Sequence, residues 1–329
     1  MKLRGNVDAD ITNSNPDFLN GNVFLSNVQI LQDKEPIVLD SIKVVAFADA
    51  EKNNIQINSQ FLKAEMDGKY KLTTLSSSLK KSLSKYIDLQ SPADKTNNDK
   101  QQVTLNVTVK NDPVLFQLVP KLTGLEPINL TANYNNVTDS LQIKGSIPRI
   151  VYAGNTISGA TINVENKENA LGYNISVATV ENGDFKLPKT VLSGKVENNI
   201  VDYALQINDL SDKEKYYLAG QLEHKTDQNT FKIDAEKVIL NYENWTVNPQ
   251  NSIEFGNAGL YINQFELSNA GNQLKIQSQQ NQKNAPIDIE FVDFKIETIL
   301  SIVKKEDLLM NGLINGKATI SNLETKPSF

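Results

Sequence analysis

A chain of 329 residues is long enough for two domains or one extended one. It carries 33 Lys and Arg against 39 Asp and Glu, a net charge of −6, and so lacks the basic footprint that nucleic-acid binding requires. It has no cysteine and one histidine, which excludes thiol nucleophiles, disulfides, iron–sulfur clusters and cysteine-based zinc sites and leaves binding, scaffolding or carboxylate chemistry.

The chain opens at Met1-Lys2-Leu3 directly into a strand pattern, without the apolar core of a signal peptide, and no run of 18 apolar residues follows anywhere. Period-two alternation then dominates. Leu62, Ala64, Met66, Gly68, Tyr70 and Leu72 form one run. Leu75, Leu79, Leu83, Tyr86 and Ile87 next fall on one helical face, with Lys80, Lys81 and Lys85 elsewhere on that helix. Residues 91–102 are polar, contain Pro92, and read as a flexible loop or linker. The domain expectation is therefore a β segment over 1–90 ending in an amphipathic helix, a loop over 91–102, and a continuing β segment over 103–329.

Alternation resumes at Val103, Leu105, Val107 and Val109. Asp112-Pro113 predicts a short helix over 113–122, a capping residue followed by proline in the first turn, with Val114, Leu115, Leu118, Val119 and Leu122 apolar. Strands follow at Ile128–Tyr134, Leu171–Val177, Tyr203–Ile207, Tyr216–Leu222, Phe231–Ala235 and Ile287–Phe291, separated by turn signals such as Asn198-Asn199 and Ala270-Gly271-Asn272. Ile296, Ile299, Leu300 and Val303 predict a third helix over 297–305. Well over half the chain reads as strand. That excess predicts an all-β fold: an elongated, curved antiparallel sheet, solenoid-like, with a few short amphipathic helices. A weak repeat, Leu3–Ala9 with Gly21–Val28 against Met310–Gly316 with Gly316–Leu323, fits stacked blocks. The last residues, Ser321–Phe329, show no closing element, as expected of a segment of a longer protein.

No constellation points to catalysis. His224 sits in the polar Glu223–Asp227 stretch and reads as a solvated turn rather than a triad member or metal ligand. Asp8 with Asp10, and Asp288 with Glu290, share strand faces, as glycosidase carboxylates would, but the wet side of a half-buried strand explains them more simply. Gly312 to Lys317 has Ala318 where a phosphate loop needs Ser or Thr. Trp245, near Tyr242, fits core packing better than sugar stacking. The lysines of the first helix could touch an anionic headgroup, but its solvated face explains them more simply. Asn-X-Ser/Thr triplets such as Asn106-Val107-Thr108 are frequent in so Asn- and Thr-rich a chain. No cofactor, metal or calcium pattern is present. The expectation is a non-enzyme.

Several stretches together resemble the TamB-like proteins of the AsmA-like superfamily, in the form found in Bacteroidetes. They are Leu3–Ile11 with Leu19–Val23, Pro36–Ile42, Ile55–Ser59, Ala64–Tyr70, Leu240–Trp245 with Asn251–Gly256, and Phe291–Ile296 leading to Leu309–Gly316. The resemblance implies an internal segment of a protein anchored in the inner membrane. Such a protein crosses the periplasm toward an Omp85-type outer-membrane partner engaged by its C-terminal region. It implies a taco-shaped sheet whose hydrophobic groove takes phospholipid acyl chains to the outer membrane or assists outer-membrane protein assembly. On the residues themselves, the candidate groove lining is Leu62, Ala64, Met66, Tyr70, Val103, Leu105, Val107, Val109, Leu171, Tyr173, Ile175, Val177, Tyr203, Leu205, Ile207, Phe231, Ile233, Ile287, Ile289 and Phe291. The competing expectation is a secreted or surface β-sandwich or solenoid with a structural or adhesive role, binding a protein or glycan. A groove leaves the apolar face open, whereas a sandwich packs it dry.

Overall fold

The computed structural model describes residues 2–32, 35–89, 98–183, 185–300 and 312–321. Strand makes up 68% of it, the described pairings are antiparallel, and the sheet is not closed, as the alternation predicts. Two compact units divide the chain: Met1–Lys85 with Ser91–Glu168, and Tyr86–Gln90 with Asn169–Phe329.

The first unit is a meander of β1 (Lys2–Asn13), β2 (Asn20–Gln32), β3 (Glu35–Ala48), β4 (Asn53–Ser59), β5 (Leu62–Lys69), β6 (Gln102–Val109), β7 (Leu122–Leu125), β8 (Ile128–Asn135), β9 (Ser140–Tyr152) and β10 (Asn155–Lys167). Each strand pairs with the next, except that β6 skips to β8, and β7 shares the edge of β9 with β8. The β9–β10 hairpin closes through Ala153 and Gly154, both at positive φ, the geometry of a two-residue turn matched to strand twist.

Two helices flank this sheet. α1 (Leu72–Leu83) begins at Lys71, whose side chain makes no capping bond. Asp17, from a single 3-10 turn at Pro16–Phe18, substitutes by accepting from Thr73 N at 2.9 Å and Thr73 Oγ1 at 2.7 Å. The residues of α1 that bury fully are Ser78 and Ser82, while Leu75 and Leu79 stay half-buried. Ser82 Oγ lies 3.0 Å from the Tyr134 hydroxyl.

α2 (Pro113–Leu118) has the expected cap, Asp112 accepting from Val114 N at 2.9 Å, but ends four residues short of the predicted 122. Pro120 disfavours helix at Val119, and Leu122 opens β7 instead. Val114 docks α2 on Val28, Ile30, Ile37 and Leu39, the core of this unit.

Of the predicted 91–102 loop, residues 98–101 are docked and the stretch up to 97 lies outside the described residues. Gln101 is fully buried: its Oε1 accepts from Lys71 N and its Nε2 donates to Thr74 Oγ1, both at 3.0 Å. Asp99 pairs with Lys71 at 2.7 Å and accepts from Thr74.

The second unit contains β11 (Ala170–Val177), β12 (Thr179–Asn182), β13 (Phe185–Leu187), β14 (Thr190–Glu197), β15 (Ile200–Asn208), β16 (Glu214–Lys225), β17 (Gln228–Leu240), β18 (Glu243–Val247), β19 (Ser252–Gly256), β20 (Gly259–Asn263), β21 (Phe265–Asn269), β22 (Asn272–Ser278), β23 (Ile287–Lys295) and β24 (Leu313–Ile320). The order is β11-β14-β15-β16-β17, with β12–β13 a small hairpin. Asn198-Asn199, Asn241-Tyr242 and Ala270-Gly271 are tight turns with both residues at positive φ. Beyond β17 the sheet forks. One half of β17 pairs with β19, which pairs with β20; the other pairs with β18, which leads through β21 and β22 to β23 and β24.

The fork is prepared by an extrusion. Leu218 pairs with Val238 and Gly220 with Ile233, so residues 234–237 leave the ladder. Asn251, 1% exposed, repairs the gap by accepting from Ile233 N and donating to Ile233 O, both at 2.8 Å. The predicted third helix is described as α3 (Glu297–Leu300), and 301–305 lies outside the described residues.

Candidate functional site

Register turns alternation into rows. In the first unit, Ala9, Val23, Val44, Ile57, Ala64, Val107, Leu130, Gly145 and Ile162 face one another in sequence across nine strands. At about 4.8 Å per strand this row runs about 38 Å. A parallel row passes through Ile55, Met66, Leu105, Ala132, Ile143 and Val164. On the reverse face, the row from Asp8 through Phe24, Lys43, Asn58, Lys63 and Asn129 to Thr161 is exposed apart from Thr108. The apolar row is half-buried apart from the exposed Ala9. A dry sandwich core would bury such a row completely, and an unsheltered flat face would expose it as fully as its reverse. This apolar row is neither sealed nor as exposed as the row behind it.

The second unit begins in the same way and then closes. Leu171, Val196, Val201, Leu222 and Phe231 form a half-buried row across β11, β14, β15, β16 and β17. From the middle of β17 onward, Ile233, Val238, Trp245, Val247, Leu267 and Phe294 are packed as a core. The Trp245 and Phe294 rings are 5.6 Å apart although β21 and β22 lie between their strands. In a flat sheet those backbones would be about 14 Å apart, so the sheet curls onto itself here.

The two stretches meet at a ladder of alternating tyrosine and glycine: Tyr173, Gly194, Tyr203 and Gly220 stand opposite one another on β11, β14, β15 and β16. Tyr173 reaches over Gly194 to donate to Asp202 O at 2.9 Å, and Tyr203 over Gly220 to donate to Lys232 O at 3.0 Å while stacking on Phe231 at 5.3 Å. A Cβ at either glycine would collide with the carbonyl oxygen beneath it, Asp202 O or Lys232 O, and crowd the tyrosine. Burial raises the pKa of both phenols, with smaller contributions from Asp234 at Tyr203 and Asp202 at Tyr173. A hollow of about 480 Å³ beside Tyr203 contains Asp202, Lys232 and Asp234 but no nucleophile–base pair.

The predicted lining residues share one face within each unit, but five are not accessible. Tyr70, Val103, Ile207, Ile233 and Ile287 are each below 9% exposed and belong to packed structure. Leu62, Ala64, Met66, Leu105, Val107, Val109, Leu171, Tyr173, Ile175, Val177, Tyr203, Leu205, Phe231, Ile289 and Phe291 remain half-buried, though Phe231 and Phe291 lean on the second core. Val23, Val44, Ile57 and Leu130 complete the first trough; their alternation is readable in sequence, but their alignment with Val107 is not.

His224 lies at the end of β16 rather than in a turn, paired with Asn229 at 2.8 Å. Trp245 is core, 4% exposed. Asp288 accepts from Thr319 and Gln279, and Glu290 pairs with Lys317. Among the described residues no group of three His, Asp or Glu could hold a metal, and no helix is long and apolar enough to cross a membrane. Fold and face together define an open antiparallel sheet with one apolar, half-buried face in each unit. Comparison with family models, curated proteins and solved structures returned no match.

Proposed function

We propose that this chain is a TamB-like segment that carries phospholipid acyl chains along its apolar trough, in a periplasmic protein anchored in the inner membrane and working toward an Omp85-type outer-membrane partner. The carrying observation is the apolar row across nine strands, half-buried in all but the first, backed by a mainly polar reverse face that includes the exposed Phe24. Its length of about 38 Å exceeds the ~15 Å of one leaflet's hydrocarbon. Two acyl chains with about 30 methylenes cost on the order of 20 kcal/mol to expose to water. A trough that keeps them sheltered while headgroups stay wet replaces that single barrier with many small ones. No chemistry is required of the side chains, and the protein acts as a conduit rather than an enzyme.

The test is site-specific photocrosslinking in the full chain. A photoreactive residue at Val107 or Leu130 should capture phospholipid detectable by mass spectrometry, and one at Thr104 or Asn129 on the reverse face should not. Equal capture from both faces, or none from either, refutes the reading.

A further inference from the structure

Beside α1, a hollow of about 220 Å³ is lined by Ser78, Lys81, Ser82 and Lys85 of that helix and its end, with Asn98, Lys100, Asn136 and Val137 from the chain packed against it. Three lysines thus meet in one concavity of a chain whose net charge is −6. Lys81 Nζ donates to Asn98 Oδ1 at 3.1 Å and Lys85 is paired with Asp139 at 2.7 Å. Lys100 makes no ion pair among the described residues. Lysines late in a helix ordinarily offset its dipole. That role explains Lys80 and Lys81, but it does not explain a third lysine, Lys100, brought to the same hollow from outside the helix. Ser78 and Ser82 are buried to 3% and 8% exposure, and Val137, on the rim, is 63% exposed. Ammonium and amide groups around a small cavity suit a tetrahedral oxyanion, and the exposed Val137 beside them suits one attached to a hydrocarbon.

We propose that this hollow binds a phosphate group, as free phosphate or as the head of an anionic phospholipid. It rests on the trough reading only for the lipid source of the phosphate. Lys81 and Lys100 supply the charge, and Asn98 and Asn136 bound the opposite wall.

The test compares the full-length wild type, a Lys81→Gln/Lys100→Gln variant, and a Lys43→Gln/Lys63→Gln control on the reverse face, with thermal melts confirming that all fold. One arm measures sedimentation with vesicles of phosphatidylcholine alone or mixed with phosphatidylglycerol. A second titrates inorganic phosphate and follows the Ser82 and Val137 amides by NMR. A third weighs copurified lipid by native mass spectrometry. A lysine near an anionic surface is worth about fivefold, so the double variant should lose about 25-fold in affinity for the anionic vesicles at low salt, and the control much less. Phosphate shifts that vanish in the variant without vesicle binding would support the site with free phosphate as its ligand. Equal losses in variant and control, or none in either, would overturn it. Phosphate binding without copurified lipid would refute the trough and leave the site. Copurified lipid with unchanged phosphate shifts and vesicle preference in the variant would refute the site and leave the trough.

Discussion

Placing an arginine at Val107 separates a trough from a packed interior. Val107 sits on β6 between Ala64 and Leu130 and is half-buried, whereas Val238, between Leu218 and Trp245 in the second unit, is 1% exposed. Burying a valine completely is worth about 1.5–2 kcal/mol, so replacing a half-buried one forfeits about 1 kcal/mol while the guanidinium extends along the open face to water. At Val238 the same change buries an unpaired charge in a core that includes Trp245 and Phe294, a loss of about 4–5 kcal/mol or more. With about 2–4 °C per kcal/mol for folded units of this size, Val107→Arg should lower the melting temperature by only a few degrees. Val238→Arg should lower it by about ten degrees or more. Calorimetry reads the first outcome, and transfer of a fluorescent phospholipid between vesicles reads the second. Transfer by Val107→Arg should fall while the fold survives. A Val107→Arg melt as low as that of Val238→Arg would refute the open trough, and a normal melt with undiminished transfer would refute its role as the lipid path.

Other perturbations test the frame that holds the trough. Tyr70 is buried and its hydroxyl pKa is pushed up to about 12, chiefly by desolvation. Its contribution is therefore full below the unfolded value near 10 and lost as pH rises from 10 through 12, about 2–3 kcal/mol in all; Tyr70→Phe should flatten that part of an alkaline stability profile. Gly220→Ala sets a Cβ against Lys232 O and 2.6 Å from the Tyr203 hydroxyl, and should cost about 2–4 kcal/mol in urea unfolding against about 1 for Tyr203→Phe. Asn251→Leu strips both backbone partners from Ile233 and should cost about 2–4 kcal/mol; a near-neutral result would mean the extruded 234–237 segment closes without it.

Alternation is a local property, because successive side chains of an extended backbone point to opposite faces whatever lies beside them. Leu62, Ala64 and Met66 were therefore readable as one face, as were Val103, Leu105 and Val107, and the Asp112-Pro113 helix start and the Asn198-Asn199 turn carry their own stereochemistry. Alternation fails where the chain changes step. Ile37 and Leu39 share the inner face with Ile42 and Val44 only because parity switches at Asp40-Ser41, opposite the strand in which Asn27 turns to a φ of 51°. The burial of Gln101 depends on Lys71, Thr74 and Asn136, distant residues with no spacing signal. Whether an apolar face is open or dry is likewise non-local. Ile175 and Val238 stand in one row through Leu192, Leu205 and Leu218, yet the first is half-buried and the second sealed. The amino-acid sequence by itself determined which residues share a face. Only the tertiary structure, by extruding 234–237 and curling β23 back toward β18, decided where that face stays accessible, because curvature depends on pairings between segments far apart in the chain.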